Sequence, residues 1–164
     1  MRKESYFEEF IGPGWPDSKQ LERYFLAPPE QRWISRTGND CWGFNVDGVD
    51  GTDRLEEGKG RIDIRLTMVG NRFHGVLLQY RRYGDGHTQE YYSKGDLRRL
   101  QEWVETKDGD LMPVGLFVSF ETAWKAVKEF IERDGAFPES IAWIAGRDVP
   151  RSAFPDPAAR IPDR

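Results

Sequence analysis

The sequence predicts a single α+β domain, an antiparallel β-meander packed by a C-terminal α-helix and a short N-terminal helix. Three observations lead there. Residues 61–69 alternate apolar Ile62, Ile64, Leu66 and Met68 with polar Arg61, Asp63, Arg65 and Thr67, the period of a strand with one buried face. Turn signals at Gly70-Asn71 and Gly84-Asp85-Gly86 join that strand to two more. Phe120, Trp124, Val127 and Ile131 recur at helical spacing.

Taken in order, residues 1–12 form a short amphipathic segment (Tyr6, Phe7, Phe10, Ile11) broken by Gly12-Pro13-Gly14. Asp17 or Ser18 caps a helix over 19–26, with Leu21, Tyr24 and Phe25 on one side. Pro28-Pro29 stops it. Residues 31–35 and 41–46 read as extended, carrying Trp33, Trp42, Phe44 and Val46. A loop over 47–60 has four Gly and five acids, too polar for a core element. The 61–69 strand returns as 73–83, with Val76, Leu78 and Tyr80 on one side, and a third strand follows at 88–93. Segment 97–105 fits two readings. Asp96 would cap a helix with Leu97, Leu100 and Val104 in a stripe, whereas Asp108-Gly109 would turn a hairpin pairing 100–107 with 110–118. The hairpin is slightly preferred.

Ser119 caps the helix over 119–134, with Glu121–Lys125 and Lys128–Glu132 as i,i+4 pairs on its outer side. Gly135 and Pro138 end it, and Ile141 and Trp143 lie in a short final strand, with Trp143 expected to pack on the helix. The domain is therefore placed at 1–146. The tail at 147–164, with four Pro, is expected to pack little.

Composition excludes several classes of function. The 164 residues suit one domain with its own core, so no disulfide or metal staple is needed. Cys41 is the single cysteine, and His74 and His87 leave little for a zinc cage or histidine catalysis. A net charge of −4 argues against a protein that coats nucleic acid. The N-terminus lacks the apolar run of a signal peptide, and no stretch approaches the roughly 20 apolar residues of a membrane span. The expected location is cytoplasmic, without cofactor or metal, and with Cys41 reduced. Aromatic residues make up 13% of this polar chain, which suits either an aromatic core or a recognition surface.

The candidate contact residues fall in two places. Asp47, Asp50, Asp53, Glu56 and Glu57 line the 47–60 loop. Their spacing misses the acids at positions 1, 3 and 5 of an EF-hand, so a solvated turn or an acidic docking patch are the alternatives to metal. Residues 38–60 hold six acids and two bases, a balance equal to the whole net charge, which would steer a basic partner to this loop. The second place is the run Tyr80-Arg81-Arg82-Tyr83 beside Tyr91-Tyr92. Tyr80, Arg82 and Tyr91 are its candidate anchors, for a protein or, alternatively, for stacked single-stranded nucleic acid. Against the latter stands the ordinary use of Tyr and Arg on exposed strand faces. Cys41 next to Asp40 reads as a structural thiol, since an acid disfavours a thiolate. Glu90 or Asp63 near His74 is the one enzyme-like arrangement to test against a structure.

The run PVGLFVSFETAWKAVKEFIERDGAFPESIAWI, residues 113–144, resembles the closing signature of the first family of bacterial polymorphic-toxin immunity proteins. The matching positions are Ala123, Ala126 and Phe130 on the helix, the Gly135–Pro138 turn, and Trp143 on the closing strand. Upstream, GWPDSKQLERYF, the Trp42 strand and the 61–83 hairpin follow the family layout in order, so the likeness covers 14–144 loosely and 113–144 specifically. The resemblance implies a stoichiometric inhibitor with no chemistry of its own. Its partner would be the toxin domain of a contact-dependent, Rhs-type or type VI system, often a nucleic-acid deaminase or nuclease with a basic cleft. Membrane and direct nucleic-acid partners are not expected, and exposed hairpin edges would allow a homodimer.

Overall fold

The computed structural model describes residues 1–26, Trp33 and 41–156. The strands are β1 (Arg2–Phe7), β2 (Phe10–Pro13), β3 (Cys41–Asp47), β4 (Asp63–Asn71), β5 (Gly75–Gly84), β6 (His87–Ser93), β7 (Trp103–Glu105), β8 (Leu111–Pro113), β9 (Phe117–Val118) and β10 (Trp143–Ala145). The helices are α1 (Ser18–Leu26) and α2 (Phe120–Glu132). Among the described residues, eight strands form one antiparallel sheet in the order β10-β6-β5-β4-β3-β1-β2, with β9 beside β5. Strands β7 and β8 pair separately. The molecule is a small single α+β domain, as the meander and helix patterns predict.

The amphipathic segment at the N-terminus is a hairpin, β1–β2. Phe7 is fully buried, and Glu8 turns the chain at φ 47°. Helix α1 begins at a reciprocal cap. The Gln20 amide donates to Asp17 Oδ1 and the Asp17 amide donates to Gln20 Oε1, each at 2.9 Å. The expected extended stretch 31–35 lies outside the described residues apart from Trp33, which is buried and donates from Nε1 to the Tyr24 carbonyl at 2.6 Å.

The β4–β5 turn differs from the expectation at Gly70-Asn71. Asn71 pairs with Gly75, so the loop is Arg72–His74. Gly70 is bare for another reason: a Cβ there would sit 1.6 Å from Trp33 Cε3. The β5–β6 turn falls at the expected Gly84-Asp85-Gly86; Gly84 pairs with His87, leaving two turn residues, Asp85 at φ 53° and Gly86 at φ 74°.

Strand β5 outruns β6, and β9 continues the lane beside Val76 and Leu77. Ser93 seals this junction. Its hydroxyl accepts from the Leu78 amide at 2.9 Å and donates to the Leu116 carbonyl at 2.7 Å, and the residue is fully buried.

Segment 97–105 takes part of each reading. Asp96 caps a single 3-10 turn at Leu97–Arg99, and the chain then enters the β7–β8 hairpin, which pairs only 103–105 with 111–113. Helix α2 starts as expected, with the Thr122 amide donating to Ser119 Oγ at 3.1 Å. Its outer ion pair is Glu129–Arg133 rather than either expected pair. Ser18 donates to Glu132 instead, tying α1 to α2.

The sheet has a core on each face. Alternation sends Phe44, Val46, Ile64, Leu66, Met68, Val76, Leu78 and Tyr80 to the face covered by α1 and α2. Their neighbours Val69 and Leu77 meet a smaller cluster with Leu116, Phe117, Val149 and Ala153. The tail beyond 146 is therefore part of the domain, at least as far as the described residues run. Ala153 is fully buried, Trp103 Nε1 donates to its carbonyl at 2.8 Å, and Phe154 packs on Tyr92. Pro150 begins the short 3-10 turn at Arg151–Ala153.

Ser93→Ala should lower unfolding free energy by about 1–3 kcal/mol, because it leaves a buried backbone amide without an acceptor. Urea denaturation measures this, and an unchanged midpoint would show that water or a backbone shift satisfies Leu78.

Candidate functional site

Helix α2, at about 1.5 Å per residue, is much shorter than β5 at about 3.3 Å per residue. It covers the sheet as far as the Tyr80 row and no further. Beyond it, in the row Ile64–Arg82–Gln89, Arg82 and Gln89 reach solvent while Ile64 stays buried. An open cleft of about 460 Å³ results, walled by Met1, Val49 and Asp50 on one side and by Arg133, Asp134, Ala136 and Phe137 on the other. Tyr80, Arg82 and Tyr91 form its floor together with Ile64 and Gln89.

Four predicted residues thus meet in one place: Asp50, Tyr80, Arg82 and Tyr91. Tyr80 does not serve as an exposed anchor. It is 3% exposed, its ring packs edge-on to Phe130 and Phe137, and its hydroxyl donates to the Gly135 carbonyl at 3.1 Å. Burial pushes its pKa up to about 12; the Arg82 charge opposes this and Asp50 adds to it. Tyr91 is half-buried against Phe137. Arg82 reaches the rim and pairs with Asp50.

The far wall is positioned by the end of α2. Asp134 and Gly135 both take positive φ, at 53° and 88°, which turns the chain back over Tyr80. Glu129 holds the return. It accepts from the Glu139 and Ser140 amides at 3.1 and 3.0 Å and from Arg133 at 2.8 Å. Burial alone would raise its pKa, and these hydrogen bonds hold it below the usual range instead. Sequence reasoning missed Arg133, Asp134 and Phe137, although the Gly135–Pro138 turn that contains Phe137 is legible in the sequence.

The acidic loop divides into a fixed base and a projecting tip. Asp47 is not a loop residue: it ends β3 directly opposite Asp63. Its carboxylate accepts from Arg2 at 2.8 Å and Arg65 at 2.7 Å, and its side chain is 11% exposed. Asp63 is buried, bound by Arg61 at 2.8 and 2.9 Å and by the Gly48 amide at 3.1 Å. Burial would raise the Asp47 pKa. Hydrogen bonds from Arg2 and Arg65, with the charges of Arg65 and Arg61, outweigh this and lower it. Val49 is buried, and Thr52 bridges the loop, donating to the Val49 carbonyl at 2.7 Å and accepting from the Ile62 amide at 2.9 Å. Asp53, Glu56 and Glu57 project, with side chains 54%, 73% and 75% exposed. Each has a cation within reach: the N-terminal ammonium, Lys59 and Arg61 respectively. At its base Arg2 and Arg65 hold Asp47 and Arg82 holds Asp50, whereas the tip carboxylates have only long or solvent-exposed contacts, so the count along the sequence overstates the acidity of the base but not of the tip.

Other expected pairings do not assemble. Asp63 and His74 stand at opposite ends of β4, and Glu90 pairs across with Arg81, not with His74. The run 80–83 is split by the pleat: Arg81, Tyr83 and Tyr92 point to the opposite face. Cys41 sits half-buried at the edge of the smaller core. Among the described residues, no three His, Cys, Asp or Glu side chains group as a metal site requires, and no helix is long and apolar enough to cross a membrane.

Comparison with known proteins returns no matching family model, no matching curated relative and no matching solved structure.

The paired carboxylates predict a pH response. A carboxylate whose folded pKa is depressed stabilises the fold above its unfolded pKa of about 3.9, and that stability is lost as pH falls through the folded value. Wild-type melting temperature should therefore drop on acidification below about pH 4. Asp47→Asn should be less stable at pH 7 and flatter below pH 4. Parallel melting curves for both proteins from pH 7 to pH 2.5 would exclude Asp47 as the source.

Proposed function

We propose that this chain is an immunity protein that binds a cognate bacterial toxin domain and covers its active site. The toxin would act on nucleic acid, as a deaminase or nuclease, and the complex would form in the cytoplasm. The observation that carries the reading is the 48–60 loop, rigid at its base and projecting Asp53, Glu56 and Glu57 beside an open cleft. A preformed acidic projection suits a basic, phosphate-binding groove, because little order is lost on docking. The likeness over 113–144 supports the same reading. Its residues Ala123, Ala126 and Phe130 are fully buried, the Pro138 carbonyl accepts from Trp143 Nε1 at 2.7 Å, and its Arg133, Asp134, Ala136 and Phe137 form the far wall of the cleft. Contact residues of this reading are Asp50, Asp53, Glu56, Glu57, Arg82 and Tyr91. Asp47 and Tyr80 act from behind, as supports.

A second reading rests on the opposite face, where the Arg65 and Arg81 guanidinium groups stand 5.4 and 5.8 Å from the Tyr83 ring centre. Such a cluster suits a stacked single strand. Absence of binding to single-stranded oligonucleotides at low salt would dispose of it.

The immunity reading is tested with the toxin domain encoded beside the gene, carrying an inactivating substitution. A 1:1 complex that weakens with salt is expected. Replacing Asp53, Glu56 and Glu57 by Asn, Gln and Gln should slow association about tenfold at low salt while dissociation changes little. An unchanged on-rate would remove the loop from the interface, and absence of any complex would remove the immunity reading.

A further inference from the structure

The β4–β5 hairpin ends in Arg72, Phe73 and His74, roughly 27 Å along the strands from the cleft. Phe73 is 76% exposed. A lone exposed apolar side chain carries no meaning by itself. Three features set this one apart.

The turn is rigid. Asn71 Oδ1 accepts from the Phe73 amide at 2.8 Å and the His74 amide at 3.1 Å, so the side chain of Asn71 supplies the turn and nothing in it requires an aromatic at 73. Gly75, at φ 92°, lies so close to β9 that a Cβ would stand 1.9 Å from the Val118 carbonyl oxygen. The tip is thus clamped to the body of the domain. The second feature is Arg72, whose guanidinium stacks 4.6 Å from the Phe73 ring centre and favours one orientation of the ring. The third is charge. Among the described residues Arg72 has no ion pair, whereas Arg65, Arg82 and Arg99 each hold a carboxylate. Glu102 is taken by Arg99 through hydrogen bonds of 2.9 and 3.1 Å.

We infer that the Arg72–Phe73 tip is a preformed anchor that inserts Phe73 into an apolar pocket of a partner protein, with Arg72 meeting a carboxylate on the pocket rim. Aromatic and arginine side chains dominate interface hot spots, and a rigid anchor loses little freedom on binding. The unneutralised cation selects an acidic rim. This inference rests on the immunity reading for the partner's identity: it places a second contact on the toxin domain, away from the acidic loop.

The test measures affinity of the inactivated toxin domain for wild type, Phe73→Ala and Arg72→Ala by calorimetry, with melting curves as a check on folding. Phe73 is exposed, so its replacement should leave the melting temperature unchanged. Phe73→Ala should weaken binding about thirtyfold or more, and Arg72→Ala about threefold to tenfold with a smaller salt dependence. If wild type forms no complex, the immunity reading fails and this inference fails with it. If wild type binds and Phe73→Ala binds within threefold of it, the inference alone fails. Sedimentation of the free protein and flotation with anionic vesicles complete the experiment. A dimer or a vesicle complex that requires Phe73 would assign the tip to a second copy or to a membrane and overturn the toxin assignment.

Discussion

Two carboxylates face each other at the end of the β3–β4 pair, and the chain's charge arrangement follows from that. Asp47 and Asp63 are directly opposed on β3 and β4, and like charges in that position repel. Neither can be buried there unless cations reach both. Arg61 clasps Asp63 with two hydrogen bonds, and Arg65 and Arg2 divide Asp47. These contacts bring the N-terminal strand, the base of the 48–60 loop and the start of β4 to one point. The loop can project rigidly because its root is bound there. The N-terminus lies at the cleft mouth because Arg2 is held there as well.

A mismatch of lengths does the rest. Helix α2 is too short to cover the β4–β5 hairpin, so each end of that hairpin extends past it. At one end the uncovered strand ends become the cleft floor. At the other the turn projects as the Arg72–Phe73 tip. Both features come from a long hairpin under a short helix. Opening the cleft further would require only that the helix end earlier, and Glu129 fixes where the return from the helix begins.

Much of the fold was legible in the residues. The strand in 61–69, the Ser119 cap, the aromatic stripe of α2 and the turn at Asp85-Gly86 are local signals with local causes and are legible. Strand β4 nevertheless runs two residues later, at Asp63–Asn71, and its second face, expected to be wet, meets the smaller core through Val69. The errors share one cause. Gly70 looked like a turn residue, yet it is bare because Trp33 arrives from far along the chain. The tail looked loose because its polar and proline content hides Val149, Ala153 and Phe154, which find the second face only after β10 pairs with β6. Tyr80 looked like a surface residue beside two arginines, but alternation separates it from Arg81 and α2 folds over it.

The sequence by itself determined the strand periodicity, the capped helix and the residue types available to a binding surface, since these depend on neighbours within a turn or a pleat. Which charges remain free was decided only by the tertiary structure. A count along the chain assigns all of the net charge to 38–60, whereas in space Arg2, Arg65 and Arg82 arrive from other strands and balance Asp47 and Asp50 at the base of the loop. Coulomb energy depends on distance through space, not on distance along the chain.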